Sequence, residues 1–299
     1  MSVIKSNLLL LLAAAIWGFA FVAQRVGMGY IGPFTFNGVR FLLGSLSLIP
    51  LIMYFNKDSL PSHMGFKSAV LPGLLAGTVL FCGASLQQIG LIYTTAGKAA
   101  FITCLYIVLV PIFGLFLGHL VGRGTWLGCI LALVGLYFLS IKGSASIQPG
   151  DLLQLIGALF WTLHILVIGH FSRRVDVLKL ACFQFLTCSV LSLITAVITE
   201  TIIISSILAA AVPILYGGLC SVGIAYTLQV VGQKHAQPAH AAIILSMETV
   251  FAVIGGFLIL GERIGGQELI GCALMLAGMV VSQLGSLRAA PDLQVKELM

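Results

Sequence analysis

The chain is 299 residues long, 60% of them hydrophobic and only 8% charged, with a formal net charge of +6 and a mean hydropathy of +1.13. A soluble domain carries roughly a quarter of its residues as charges, so this chain lacks the polar side chains to cover a water-facing surface, and lipid must be its main solvent. Its positive charges are scattered between apolar runs with no basic tract or aromatic-basic platform, which excludes nucleic acid as a partner.

A membrane span needs about 20 apolar residues. Apolar runs bounded by charge, Gly or Pro predict spans at 7–25, 34–55, 68–92, 95–118 and 124–141. Five more follow at 151–171, 177–199, 209–232, 237–260 and 266–285. Backbone amides in hydrocarbon must be satisfied within their own segment, and the alternation of barrel strands is absent, so all ten are expected as helices. The first run opens like a signal peptide, with Lys5 before "LLLLLAAA", but continues through "IWGFAFVA" and is long enough to span. It is expected to be retained. The seven cysteines lie in apolar segments without CxxC or Cys/His spacing, and are expected to pack as small hydrophobes. No catalytic residue, metal or cofactor is indicated.

The second five segments repeat the first. Trp17 recurs as Trp161, Gln87 as Gln229, "AGKAAFI" as "PAHAAII" and "LGCILALVGLYF" as "IGCALMLAGMVV", all at offsets of 142 to 144 residues. A unit with an odd number of spans must cross the bilayer in the opposite sense when duplicated, and in such inverted repeats the substrate site lies between the halves. The expected architecture is all-α and integral to the membrane, with ten transmembrane helices in two inverted five-helix repeats. The repeats are placed at 1–142 and 150–286, with a cytosolic tail at 287–299. With the N-terminus inside, ten Lys and Arg residues fall on the cytosolic side and only Arg25, Lys98, Lys142 and Arg263 outside. That bias puts both termini in the cytosol.

These residues resemble the drug/metabolite transporter superfamily, specifically its EamA-type ten-helix members, over essentially the whole chain. The resemblance rests on "WGFAFVAQRVG" in the first span, Arg40-Phe41 in the second and "LILGERI" at 258–264. The Gly-x6-Gly pairs Gly128/Gly135 and Gly271/Gly278 complete it. It implies a secondary transporter that moves small metabolites, often amino acids, usually outward across a bacterial inner membrane. Four positions depart from the family pattern: His119 after Gly118, Thr162 after Trp161, Gln184 in place of an arginine, and Thr249 after Glu248. They make the two halves chemically unequal.

Glu248 is the only acidic residue near the centre of a predicted span. A carboxylate there costs about 2.5–3.5 kcal/mol to insert, so it must face a cavity or a partner. It serves as a substrate-amine contact, a proton-coupling group or an interhelix hydrogen bond. Its counterpart in the first half, Tyr106, offers a hydroxyl across the pseudo-symmetry axis. His240 and Lys98 occupy equivalent positions near the starts of the ninth and fourth spans. His240, Ile244 and Glu248 fall on one helical face, about 12 Å of rise separating imidazole from carboxyl. His240 is therefore a candidate proton relay through water or substrate, and Lys98 a coupling group or an interfacial anchor. Arg40 either snorkels outward or pairs with a carboxylate, the substrate's included. His164 is a gating candidate or a packed, hydrogen-bonded core histidine.

Gln87 and Gln229 are the same amide kept in both halves, and since an amide facing lipid is costly both should point inward. Tyr226, Gln229 and Gln233 form a polar stripe on the eighth span. Trp17 and Trp161 sit inside their spans rather than at the interfacial belts, as cavity walls or as symmetric packing. The candidate substrate-binding set is Trp17, Gln87, Tyr106, Trp161, Tyr226, Gln229 and Glu248. The candidate coupling or gating set is Glu248, His240, Lys98, Arg40 and His164. Gly73/Gly77 and Gly114/Gly118 are GxxxG pairs suited to close helix contact. The expected function is a secondary carrier for a small polar metabolite, with the lipid bilayer, a small-molecule substrate and protons as partners. Against an intramembrane enzyme stands the absence of H-E-x-x-H, G-x-S-x-G and paired intramembrane aspartates. Against a sensor or assembly protein stands the lack of an extramembrane domain.

Overall fold

The structure, a computed structural model, describes residues 3–56, 66–94, 96–140, 149–260 and 265–296. The first half runs α1 (Val3–Gly27), α2 (Pro33–Asn56), α3 (Phe66–Tyr93), the pair α4 (Ala96–Thr103) and α5 (Tyr106–Phe116), and α6 (Arg123–Ser140). The second opens with α7 (Pro149–Phe171), α8 (Val177–Thr199) and the short α9 (Ile204–Ala209) and α10 (Ala211–Leu215). A π-helix (Tyr216–Tyr226) then leads into α11 (Thr227–Gln233), the pair α12 (Pro238–Leu245) and α13 (Glu248–Leu260), and α14 (Gly266–Lys296). Among the described residues there is no strand, as the missing alternation implies. Eight stretches there are long and apolar enough to cross a bilayer, and the shorter apolar helices Arg123–Phe138 and Leu269–Ser282 stand where the fifth and tenth spans are predicted.

The two halves interlock. The principal packing pairs are α6 with α14, α2 with α8, α3 with α7 and α8, and α1 with α13, the π-helix and α11. Each has its counterpart when the halves are exchanged: α3–α7 corresponds to α1–α11, α3–α8 to α2 with the π-helix, and α1–α13 to α5–α7. Chain direction follows from the close contacts. A Cβ on Gly128 would lie 2.6 Å from the Gly278 carbonyl oxygen, and one on Gly135 the same distance from that of Gly271. Residue numbers therefore run oppositely along α6 and α14, which cross antiparallel with their Gly-x6-Gly motifs in backbone contact. Across α2 and α8, Ser189 Oγ donates to the Gly38 carbonyl (2.8 Å) and Ser45 Oγ to that of Cys182 (3.2 Å), again antiparallel. Equivalent helices that oppose each other in direction are what duplication of an odd-span unit demands.

Gly73 and Gly77 behave as the GxxxG reading expects, with Cβ positions 2.3 Å from Phe183 Cβ and 2.5 Å from Thr187 Cβ on α8. Gly114 and Gly118 do not. Gly118 ends α5 at φ +76°, and His119 N–H bonds back to the Gly114 carbonyl (2.9 Å) while Gly118 N–H bonds to that of Leu115 (3.0 Å). That is a Schellman cap, for which glycine is needed because the left-handed conformation disfavours a Cβ.

Three predicted spans are interrupted. The stretch 95–118 breaks between Thr103 and Tyr106, and 237–260 breaks at the equivalent point between Leu245 and Glu248. At both breaks the ladder tightens to three-residue steps, from Leu105 N–H to the Ile102 carbonyl and from Met247 N–H to that of Ile244. In the second half, Ser246 Oγ takes the Ile243 carbonyl and Thr249 Oγ1 that of Ser246, both at 2.8 Å, competing with the backbone. In the first half Pro111 has no N–H to give the Ile107 carbonyl, and the Cys129 thiol on α6 donates to it instead (3.4 Å). The third interruption is the π-helix, whose Gly218 and Gly223 let it approach Leu43 and Ser47 of α2. At the C-terminus the backbone stays helical through Lys296, past the expected end of the span, in keeping with the helix-forming Leu287, Arg288, Ala289 and Ala290.

Candidate functional site

The two helix breaks meet. Tyr106, the first residue of α5, donates its hydroxyl to Glu248 Oε1 (3.1 Å), and the Cys104 thiol donates to the same oxygen (3.2 Å). Glu248 is itself the first residue of α13, where the free N–H groups of a helix start favour a carboxylate. The break thus supplies what continuous helix would deny: a buried acid on whose Oε1 two donors from the other half converge.

All seven residues of the substrate-binding set line one cavity around this junction, and Arg40 lines it too. Both halves contribute to its wall. Tyr226, the last residue of the π-helix, lies between the duplicated tryptophans, its ring 4.6 Å from Trp17 and stacked at 6.3 Å on Trp161. Trp17 Nε1 donates to the Ser221 carbonyl (3.2 Å), whereas Trp161 Nε1 has no hydrogen-bond partner among the described residues. The duplicated amides also differ in use. Gln87 Nε2 donates to Gln24 Oε1 (3.1 Å), while Gln229 Oε1 has no partner among the described residues. Arg40 is 2% exposed; its Nε donates to Asn37 Oδ1 (3.0 Å), and its guanidinium carbon lies 5.4 and 4.9 Å from the Phe36 and Phe41 ring centres. It neither snorkels out nor meets a carboxylate among the described residues.

Two of the coupling candidates stand outside the wall. His164 Nε2 pairs with Gln184 Oε1 (2.9 Å), one layer behind the Trp161 and Tyr226 rings. His240 Nε2 pairs with Thr125 Oγ1 (3.0 Å) on α6, and the break at Ser246 removes the common face that continuous helix would give it with Glu248. The side chain of Lys98, and the turn at 261–264 within "LILGERI", lie outside the described residues. Gln233 turns away from the polar stripe to donate to the Ile165 carbonyl (2.9 Å). Sequence reasoning missed Phe21, Gln24, Thr103 and Ser221 in the wall, and Cys104 at the acid. Trp17, Phe21 and Gln24 share a helical face, so the first tryptophan carried the signal for the other two.

Apart from half-buried Trp17, the side chains that line the cavity are all buried. Polar ties between the halves close the end where α2 begins and α8 finishes. The Glu200 carboxylate accepts from the N–H groups of Phe34 and Thr35 (both 2.8 Å) and from the Thr35 hydroxyl (2.6 Å). Nearby in the sequence order of that face, Thr94 Oγ1 donates to Asp151 Oδ1 (2.7 Å), and Arg25 Nη1 donates to the Thr94 carbonyl (2.7 Å).

Interlocked, oppositely directed helix bundles around a cavity at paired helix breaks are the plan of multi-pass membrane transporters. A family model described as the EamA-like transporter family matches the chain twice, over residues 4–141 and 148–283, and the chain belongs to that family. It is 34% identical over 284 residues to an uncharacterized transporter of Archaeoglobus fulgidus, covering 93% of this chain and 86% of that protein. It is 23% identical to a probable amino-acid metabolite efflux pump of Salmonella typhimurium, covering 94% of this chain and 95% of that protein. A crystal structure of a protein 19% identical in sequence matches with a TM-score of 0.76 over 93% of this chain and 96% of that one, which shows a shared fold.

Proposed function

We propose that the protein is a secondary carrier that exports a small polar metabolite of the amino-acid class across the bacterial inner membrane by alternating access. Residues 1–142 and 150–286 act as two inverted units, both termini lie in the cytosol, and Glu248 couples flux to protons. The observation that carries this reading is the junction of the two helix breaks, where Glu248 and its counterpart Tyr106 bond to each other across the halves in a cavity that both halves line. Any rocking of one bundle against the other must change that contact, so occupancy of the acid and orientation of the carrier are linked. The efflux-pump relative supports the substrate class and the outward direction.

Counterflow in proteoliposomes tests it: vesicles preloaded with unlabelled amino acids should accumulate labelled amino acid from outside, and the label should be recovered chemically unchanged. Covalent change of the label without accumulation would replace the carrier with an intramembrane enzyme.

A further inference from the structure

Arginine keeps its charge at any pH a protein experiences, and burying a charge without a counter-charge is costly. Arg40 is nevertheless 2% exposed, lines the cavity, and has no carboxylate beside it among the described residues. Its surroundings hold it in place without neutralising it. Asn37 Oδ1 takes only Nε, Phe36 and Phe41 approach the guanidinium with their rings, and Gly217 leaves space beside the stem, where a Cβ would come within 3.4 Å of Arg40 Cδ. The two Nη groups, which form the fork that matches a carboxylate, make no hydrogen bond among the described residues. Among the described residues the same wall carries a further unpaired donor, Trp161 Nε1, and an unpaired acceptor, Gln229 Oε1, and both hydrogen bonds to the Glu248 carboxyl go to Oε1, leaving Oε2 as an acceptor.

Donors anchored on a fixed cation and acceptors anchored on a carboxyl describe a ligand with both an anionic and a cationic end. We infer that Arg40 is the receptor for the substrate's carboxylate and that Gln229 and Glu248 accept from its ammonium. The substrate class is then the α-amino acid with its carboxylate free, and organic cations and carboxyl-blocked derivatives are rejected, because a cation beside Arg40 meets a like charge in a low-dielectric space. Asn37 is a positioning residue, acting only by fixing the guanidinium. This assignment rests on the carrier reading and adds the group that selects the cargo.

The test uses the purified full chain and two probes: a pool of the standard L-amino acids and the matching pool of their α-carboxamides. Binding is read from tryptophan fluorescence, since Trp17 and Trp161 line the cavity, and from thermal stabilisation. The free acids should bind about a hundredfold more tightly than the amides, in line with the loss of a buried charge-assisted bond. Arg40→Gln should bring acids and amides to the same weak affinity, and Arg40→Lys should restore part of the preference. Equal binding of acids and amides by the natural protein overturns the assignment whether or not any variant folds. Acid binding unchanged in folded Arg40→Gln overturns it as well. If neither pool binds, the amino-acid carrier reading fails first and the Arg40 assignment falls with it.

Discussion

At the scale of single residues, Glu248 combines a cost and a use. Its carboxyl is buried 94% of the way into the protein by exposure (6% remaining) and shares one oxygen between Tyr106 and Cys104. If it carries the coupling proton, Glu248→Gln keeps the shape and removes the titration. Counterflow should then persist while dependence of net flux on an imposed pH gradient disappears; a gradient dependence equal to that of the natural protein would remove Glu248 from the coupling role. Tyr106→Phe deletes one hydrogen bond to a charged or chargeable group, a loss of about 1.5–3 kcal/mol, and thermal unfolding in detergent should register it as a lowered Tm. This site was legible from sequence because an acid in mid-span is rare and the duplication points to its counterpart. Cys104 was not, because a thiol in an apolar run reads as packing. His240 was misplaced for a related reason: periodicity extends a helix through Ser246, and nothing in the pattern marks side chains that take backbone carbonyls for themselves.

At the scale of elements, helix ends and crossings decide the geometry. The start of α2 has Gly32 and Pro33 where a capping side chain would stand, and its free N–H groups are satisfied by Glu200 from the other half. α8 needs no such help, since Asp176 accepts from Leu178 and Lys179 at its own start (3.0 and 2.9 Å). Glu200→Ala removes a cap and a charge at a helix N-terminus, about 1–2 kcal/mol, and hydrogen exchange should rise at Phe34 and Thr35 before it rises in the rest of α2. Along the α6–α14 crossing, Gly135→Ala puts a Cβ 2.6 Å from a backbone oxygen that cannot rotate away, an overpacking cost of about 1–3 kcal/mol. Gly122→Ala, with nothing within 4 Å of its Cβ position, should leave the Tm where it was. The spans themselves were legible from apolar length and the glycine motifs from their repetition. The π-helix was not, because its Gly-rich stretch is equally compatible with an ordinary helix until α2 is packed against it.

At the scale of the whole molecule, each half finds its principal packing partners in the other: α6 in α14, α2 in α8, α3 in α7 and α8. Residues 1–145 and 146–299 expressed as separate chains should therefore be degraded singly and recover binding and counterflow when produced together; a first half that accumulates and folds alone would contradict this. The inverted plan was visible in the matched tryptophans and amides, because duplicated positions keep their offset even where their chemistry has drifted. What the drift did to function was not visible, since the use of Gln87 and Gln229 depends on a neighbour, Gln24, that only the first half brings.

The cap that α2 borrows from Glu200 has an effect on the empty carrier. Two identical inverted halves would make the two orientations energetic mirror images, and the unloaded protein would rest equally on either side. Among the described residues a carboxylate from the other half caps the start of α2 at one face, while the equivalent helix at the other face, α8, is capped by its own Asp176. Any motion that parts α2 from the end of α8 loses that carboxylate contact, whereas the ties between the halves at the opposite face, Ser6 Oγ to the Gly232 carbonyl (2.6 Å) and Thr125 Oγ1 with His240 Nε2 (3.0 Å), involve no carboxylate. If the protein alternates access as proposed, unequal ties at the two faces predict that half-saturation measured from the two sides of a sealed vesicle differs, and equal values would count against that asymmetry.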